Sequence, residues 1–246
     1  MVFRVKSSGF FARKPDALIF DLDNTLYDYR APHQAAMEAA RQKAVSALKI
    51  DERTFDAAYE RGRSATKARL GATAASHSRL LYFQSMLEDL GMKTQVLLTL
   101  DLEQTYWRNF LMNAALFPGV HDFLTELRAL GVPTALVTDL TAQIQFRKLI
   151  YFGIESFFDY VVTSEEAGAD KPMLEPYRLI ARKLALADNH EIWTVSDDPA
   201  HIDAARKVLN TRTLVKLAPG DPACEGADVE FSDFRELLGQ ILKRRA

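Results

Sequence analysis

The sequence predicts an α/β fold, a doubly wound parallel sheet with an inserted all-helical segment. Short apolar runs ending in polar residues alternate with amphipathic segments of helical spacing over most of the chain. One long stretch, residues 29–113, has helical patterns and no convincing strand. Repeated strand–helix units imply parallel strands joined by right-handed crossovers. We therefore expect an α/β core over 1–28 and 114–246, and a helical domain over 29–113.

The elements of the core follow from these runs. The first strand, residues 17–20, is continuously apolar, which is typical of a strand buried on both faces of a sheet. Further strands are predicted at 133–137, 160–162, 192–195 and 213–217. Helices are predicted at 120–130, 143–151, 175–186, 202–209 and 234–243, with Gly131 and Gly153 ending the first two.

The inserted segment is predicted to contain four helices. Ala-rich and charge-rich patterns with helical spacing cover residues 35–48, 53–70, 79–90 and 94–110. Residues 71–76, which combine glycine with small residues, are predicted to form a loop.

Composition limits the kinds of partner. The chain has 246 residues with 31 basic and 33 acidic side chains, a formal charge of −2, which favours neither nucleic acid nor an anionic membrane as a partner. Its apolar runs are far shorter than the roughly 20 residues of a membrane-spanning helix. The single cysteine, Cys224, fits a reducing cytoplasm. We expect a cytoplasmic protein with a small-molecule ligand, and its oligomeric state is left open.

Polar residues follow several of the predicted strands. Ligands of open α/β sheets bind beyond the carboxyl ends of the strands, so these residues are candidates for one shared pocket. They are Asp21, Asp23, Thr138, Asp139, Lys171, Asp197 and Asp198. Each one alone also fits a turn or cap residue, and the prediction depends on their occurring together in one strand–helix series.

Carboxylates, a hydroxyl and an ammonium group around one crevice suit phosphate chemistry with a divalent cation. Asp21 is placed to attack phosphorus, and Asp23 to protonate the leaving group and later activate water. Mg²⁺ prefers oxygen ligands and keeps several waters, so Asp21 with Asp197 or Asp198 would suffice as protein anchors. Thr138 and Lys171 would then bind the phosphoryl oxygens.

These residues also resemble a known family, the haloacid dehalogenase-like hydrolases. Residues 20–26, Phe-Asp-Leu-Asp-Asn-Thr-Leu, are similar to its first motif, a strand followed by Asp-x-Asp-x-Thr. Residues 137–139, 171–172 and 193–198 resemble the second, third and fourth motifs, and 117–120 the segment that returns from a helical cap.

The resemblance implies that residues 29–113 are a cap, that Asp21 is the nucleophile and that Asp23 is the acid/base. It further implies a phosphate site and a Mg²⁺ site, with Thr25 supporting the turn. The phosphate site would contain Thr138 and Lys171, with Asp139 as a further candidate in the position where asparagine is common. The Mg²⁺ site would contain Asp21, the carbonyl of Asp23 and Asp197, with Asp198 as a compensating carboxylate. The fourth motif differs from the usual pattern at Ser196, where glycine is common, and at Ile202, where a further aspartate is common.

Four functions remain open at this stage. Hydrolysis of a small phosphorylated metabolite ranks first; a sugar-phosphate mutase would use the same residues, and a 2-haloacid dehalogenase would need only the attacking aspartate. A catalytically impaired protein that binds a ligand or partner is the fourth. A basic stretch of the helical segment could attract a second anionic group of the substrate or form a solvated helix face. It contains Arg61, Arg63, Lys67, Arg69 and Arg79.

Overall fold

The chain forms two compact units. The computed structural model describes residues 2–185, 187, 189–218 and 220–243. One unit contains Met1–Asp28 and Ala115–Ala246, and the other contains Tyr29–Ala114. The second unit is thus an insertion into the first, after the first two strands of the central sheet and before the other five.

The first unit is built on a sheet of seven strands. Along the chain they are β1 (Phe3–Val5), β2 (Ala17–Phe20), β3 (Thr134–Thr138), β4 (Tyr160–Thr163), β5 (Ile192–Ser196), β6 (Arg212–Lys216) and β7 (Val229–Phe231). Their order across the sheet is β1-β7-β6-β5-β2-β3-β4, and only β1 runs antiparallel to its neighbour. Every residue of β2, β3 and β5 is buried, as continuous apolar runs in a parallel sheet require.

The second unit is helical. It contains α1 (Arg30–Leu48), α2 (Glu52–Leu70), α3 (Arg79–Asp89) and α4 (Val96–Met112), with a short 3₁₀ turn at Ala74–His77. The side chain of Asp51 caps α2 by accepting a hydrogen bond from Thr54 N. A Cβ atom added to Gly62 in α2 would lie 2.7 Å from the backbone nitrogen of Met86, so α2 and α3 approach closely at this glycine.

The remaining helices pack with the sheet in the first unit. They are α5 (Val120–Ala129), α6 (Ala142–Phe152), α7 (Ser164–Ala167), α8 (Glu175–Lys183), α9 (Pro199–Leu209) and α10 (Phe234–Leu242). α8 and α9 bury apolar side chains against β2, β3, β4 and β5 in one cluster that includes Tyr177 and Ile180. The predicted α/β fold with a doubly wound parallel sheet is confirmed.

Several details differ from the sequence prediction. β1 and β7 were not predicted; each has three residues, too few for a periodic pattern, and they pair across almost the whole chain, from Phe3 to Phe231. The short helix α7 was also missed. The predicted helix 175–186 ends at Lys183, and residue 186 lies outside the described residues. Most other predicted ends agree to within a few residues.

Within the described part of the chain, no helix is both long and apolar enough to cross a bilayer.

Candidate active site

The candidate site lies where the strand order reverses. β2 lies between β3 and β5 in the sheet. From β3 the chain adds β4 on one side, and from β5 it adds β6 and β7 on the other side. Such a switch point leaves a crevice beyond the carboxyl ends of the strands. Asp21 follows β2 directly and its backbone nitrogen donates to Val195 O at 2.9 Å, while Thr138 and Ser196 are the last residues of β3 and β5.

Asp21 is a buried carboxylate surrounded by donors, with a residue exposure of 6%. Its Oδ1 atom accepts from the backbone nitrogen of Leu22 at 2.7 Å and lies 2.5 Å from Nζ of Lys171. Its Oδ2 atom lies 3.4 Å from the Ser196 hydroxyl and 3.2 Å from Nδ1 of His201. Burial alone would raise the pKa of Asp21, but Lys171 and His201 hold it well below its ordinary value. Asp21 is therefore ionised at neutral pH.

Lys171 joins two of the predicted carboxylates. Its side chain is almost fully buried, and Asp21 and Asp139 raise the pKa of its ammonium group although burial opposes the charge. The backbone nitrogen of Lys171 donates to Oδ1 of Asp139 at 2.9 Å. Burial raises the pKa of Asp139. Asp139 thus positions the Lys171 backbone while the Lys171 side chain pairs with Asp21.

Asp197 is held against the loop that follows β2. Its Oδ1 atom accepts from the hydroxyl of Thr25 at 3.0 Å, and the same hydroxyl accepts from the backbone nitrogen of Asp197 at 3.0 Å. Burial and the negative charge of Asp21 raise the pKa of Asp197 to about 6. Thr25 therefore connects the first and fourth motifs, and it brings a second carboxylate close to Asp21.

The carboxylate of Asp23 forms an ion pair with a second buried lysine. Lys148, on α6, is completely buried and donates to Oδ1 and Oδ2 of Asp23 at 2.7 and 3.0 Å. The hydroxyl of Tyr27 donates to Oδ1 of Asp23 at 2.5 Å. Between Asp23 and Tyr27, Asn24 has a φ of 60°, a left-handed conformation that asparagine tolerates better than most residues. The chain therefore turns sharply after Asp23, and the Asp23 side chain is fixed by Lys148 and Tyr27.

Thr138 and Asp198 have other local roles. The hydroxyl of Thr138 is buried and accepts from Nε2 of Gln145 at 2.6 Å. Asp198 is the N-cap of α9, where its Oδ1 atom accepts from Ala200 N at 2.8 Å, and its side chain is 46% exposed. The structure thus brings Asp21, Lys171, Asp139 and Asp197 into one connected group, and it shows Asp198 capping a helix.

Three polar side chains at the site were not among the sequence candidates. Lys148 and Gln145 project from α6, and His201 from the first turn of α9. On a helix, a single lysine or glutamine has the pattern of a solvated residue, so no local signal marked them. Only burial in the folded protein distinguishes Lys148 and Gln145, both at 0% exposure, from surface residues.

The residues present fit a cation that binds oxygen and keeps part of its water shell. In the described part of the chain, no three His, Cys, Asp or Glu side chains lie together as a metal cluster. The buried carboxylate of Asp21 and the half-buried carboxylate of Asp197 are close enough for the charge of Asp21 to raise the pKa of Asp197. Two carboxylates with few protein ligands suit Mg²⁺, which is usually bound by one or two carboxylates, and do not suit zinc.

The fold is that of an α/β protein whose candidate site lies at the switch point of the sheet. Residues 15–208 match the model of the haloacid dehalogenase-like hydrolases. The chain is 35% identical to a ribulose-1,5-bisphosphate 5-phosphatase from Halopiger xanaduensis, over 86% of this chain and 89% of that protein. It is 27% identical to a glyceraldehyde 3-phosphate phosphatase from Methanocaldococcus jannaschii, over 88% of this chain and 90% of that protein.

A solved structure agrees on the fold. The 2-haloacid dehalogenase from Pseudomonas syringae has a TM-score of 0.70, with 20% identity over 94% of this chain and 99% of that one. The chain belongs to the haloacid dehalogenase-like hydrolase family, as its motifs predicted. It is a hydrolase, and its named relatives support the phosphatase branch of that family.

Proposed function

We propose that the protein is a Mg²⁺-dependent phosphohydrolase that cleaves a small phosphomonoester through an aspartyl-phosphate at Asp21. The observation that carries this proposal is the Asp21 carboxylate itself, held ionised at the end of β2 by Lys171 at 2.5 Å. An ionised carboxylate at a switch point can act as a nucleophile. The neighbouring ammonium group can bind the phosphoryl oxygens where negative charge must be stabilised.

In the first step, an oxygen of Asp21 forms a bond to phosphorus as the bond from phosphorus to the ester oxygen breaks. Asp23 donates a proton to the departing alkoxide, which leaves as an alcohol. Lys171 and the hydroxyl of Thr138 bind the oxygens of the transferred group. Lys148 and Tyr27 orient Asp23 for this proton transfer, since they fix its carboxylate.

In the second step, Asp23 accepts a proton from a water molecule that attacks phosphorus. The bond between phosphorus and Asp21 breaks, inorganic phosphate leaves and the carboxylate of Asp21 is restored. Asp21, the carbonyl of Asp23 and Asp197 would hold Mg²⁺, which supplies positive charge to the phosphoryl oxygens when bound. Asp198 is a further candidate ligand, in exchange for its contact with α9.

Two features favour phosphate over carbon–halogen chemistry. A departing halide needs no proton, so a fixed acid such as Asp23 has no role in dehalogenation. Displacement of a halide needs no cation, so that reaction would not need the second carboxylate, Asp197, that lies close to Asp21 as a candidate cation ligand. The phosphatase names of the two relatives support the same choice and suggest phosphorylated sugars as the substrate class.

We further propose that the helical unit, Tyr29–Ala114, serves as the cap of this enzyme. A cytoplasmic location remains the expectation from the single cysteine.

The test is phosphate release from an aryl phosphate, with Mg²⁺ and with a chelator, by the wild type and by the variant Asp21→Asn. We expect Mg²⁺-dependent turnover that falls by about a thousandfold or more in the variant, because the nucleophile is lost. Asp122→Asn, an exposed aspartate on α5, is the matched control and should keep full activity. Equal turnover by wild type and Asp21→Asn would contradict the proposal. A panel containing ribulose 1,5-bisphosphate and glyceraldehyde 3-phosphate then identifies the substrate.

A further inference from the structure

A cavity of about 380 Å³ lies entirely within the helical unit. Its walls come from the N-terminal part of α1, the middle of α2, and the 3₁₀ turn and first residues of α3. The volume is within the usual range for small-molecule sites. Of the five residues in the basic stretch, the cavity is lined by Arg63, Lys67 and Arg79. The stretch is therefore divided between a lined cavity and the outer surface of α2.

The lining has more positive than negative charge. Among its described residues the only carboxylate is Glu60, which accepts from Nη1 of Arg63 at 2.8 Å and from the Ser64 hydroxyl at 3.0 Å. Lys67 and Arg79 add two further positive charges. Burial, followed by the charges of Arg79 and Arg63, lowers the pKa of His33 in the same wall to about 4. The cavity thus disfavours an additional cation and favours an anion.

Arg79 is held in place and still has hydrogen-bonding capacity. Its Nη1 atom donates to the carbonyl oxygen of His77 at 2.7 Å, and its Nη2 atom donates to the hydroxyl of Tyr29. Its guanidinium carbon lies 5.3 to 5.7 Å from the centroids of three aromatic rings, those of Tyr82, Tyr106 and Trp107. Its Nε atom is buried and has no hydrogen-bond partner among the described residues. A buried donor without a partner is unfavourable, and a bound anion would supply one.

We propose that this cavity binds the phosphate group of a small molecule through Arg63, Lys67 and Arg79. Planar guanidinium groups bind phosphate oxygens in pairs, and lysine adds a point charge. The phosphate belongs either to a doubly phosphorylated substrate, as its uncleaved group, or to a separate phosphorylated metabolite. The first source rests on the proposed phosphatase function; the second does not.

The test uses two double variants of the full chain with the same change of charge. Arg63→Gln with Lys67→Gln alters the cavity. Arg61→Gln with Arg69→Gln is the matched control, because both residues are on the same helix but outside the cavity and Arg61 pairs with Asp89 on the surface. Circular dichroism and thermal unfolding first establish that both variants fold.

Binding is measured by calorimetric titration with sulfate, a tetrahedral dianion that cannot be hydrolysed, in the presence of a chelator. We expect the cavity variant to bind sulfate about tenfold more weakly than the control, since it lacks two charged donors. Equal binding by the two double variants, including no binding by either, would overturn the proposal. This measurement does not depend on catalysis, so it is informative even if the aryl phosphate test fails.

Kinetics then identify the source of the phosphate. The ratio of KM for ribulose 1,5-bisphosphate to KM for an aryl phosphate should rise about tenfold in the cavity variant relative to the control if the substrate supplies the group. An unchanged ratio together with weaker sulfate binding supports a separate phosphorylated ligand. Arg79→Lys gives a second check: it keeps the charge and loses the Nε donor, and it should also weaken sulfate binding.

Discussion

The pair formed by Asp21 and Lys171 gives a quantitative prediction about stability. Both side chains are nearly buried, at 7% and 2% exposure, and their charged atoms lie 2.5 Å apart. At this distance and an effective dielectric constant of about 20, Coulomb's law gives an attraction of about 6 to 7 kcal/mol, from which the desolvation of both charges must be subtracted. Removing one partner of such a pair costs about 3 to 5 kcal/mol because the other charge stays buried and unpaired.

The assay is a double-mutant cycle of Asp21→Asn and Lys171→Met, with the free energy of unfolding measured by urea denaturation. A Trp107→Phe background leaves Trp193 as the only tryptophan, so that fluorescence reports the α/β unit. A chelator is present throughout, so that no cation replaces Lys171 beside Asp21. We expect a coupling energy of about 3 kcal/mol.

An exposed pair in the same unit provides the comparison. Lys183 and Glu166 are as close, at 2.6 Å, but their side chains are 26% and 44% exposed. Their coupling energy should be about 0.2 to 1 kcal/mol, the usual value for surface pairs. If the Asp21–Lys171 coupling is no larger than that, the reasoning that burial makes this pair strong is refuted.

Three further predictions concern single residues. Gly62→Ala should lower the free energy of unfolding by about 2 kcal/mol, because the new Cβ atom would meet the α3 backbone. Gly239→Ala on α10 is the control: its Cβ atom would meet no atom within 4 Å, so it should be neutral or stabilising in the same urea denaturation assay. The free energy of unfolding of the wild type, compared with that of His33→Asn, should decrease as pH falls from about 6.5 to about 4. The reason is that the pKa of His33 is lowered in the folded state, so the unfolded chain binds the proton first. Denaturation curves of both proteins at each pH check this. Lys148→Met should lower kcat about tenfold or more because Asp23 loses its orientation. The free energy of unfolding should fall less than in Lys171→Met, because the Asp23 side chain left unpaired is 25% exposed whereas that of Asp21 is 7% exposed. An unchanged kcat would argue against that positioning role.

The parts of the site that the sequence predicted follow from strand ends. Asp21 and Asp197 come directly after the buried strands β2 and β5, and Thr138 is the last residue of β3. The carboxyl ends of parallel strands meet at one edge of a sheet. Their proximity could therefore be inferred before the fold was known. Lys148 and His201 come from helices, and which side of a helix faces the crevice depends on packing over a long sequence separation.

Asp198 shows how one residue can fit two patterns. Its place beside Asp197 in the fourth motif indicated a metal ligand. The same residue precedes Pro199, and an aspartate followed by proline is also typical of the start of a helix. In the structure its carboxylate caps α9, and its role as a Mg²⁺ ligand stays a prediction. The edge strand β1 and its neighbour β7 were beyond prediction for a different reason, since each has three residues and they pair with each other across almost the whole chain.

The charges of the site suggest that substrate and cation bind interdependently. Two lysines, Lys148 and Lys171, form ion pairs with Asp23 and Asp21. Among the described residues no lysine forms such an ion pair with Asp139 or Asp197, and the pKa of each of these carboxyl groups is raised. Four carboxylates of the described chain thus share two ion-paired lysines before any phosphate arrives. A phosphate dianion would add further negative charge to a partly buried site, which is unfavourable unless positive charge enters with it. The proposed Mg²⁺ would supply that charge, so each ligand should bind more tightly in the presence of the other, and by linkage the two effects must be equal.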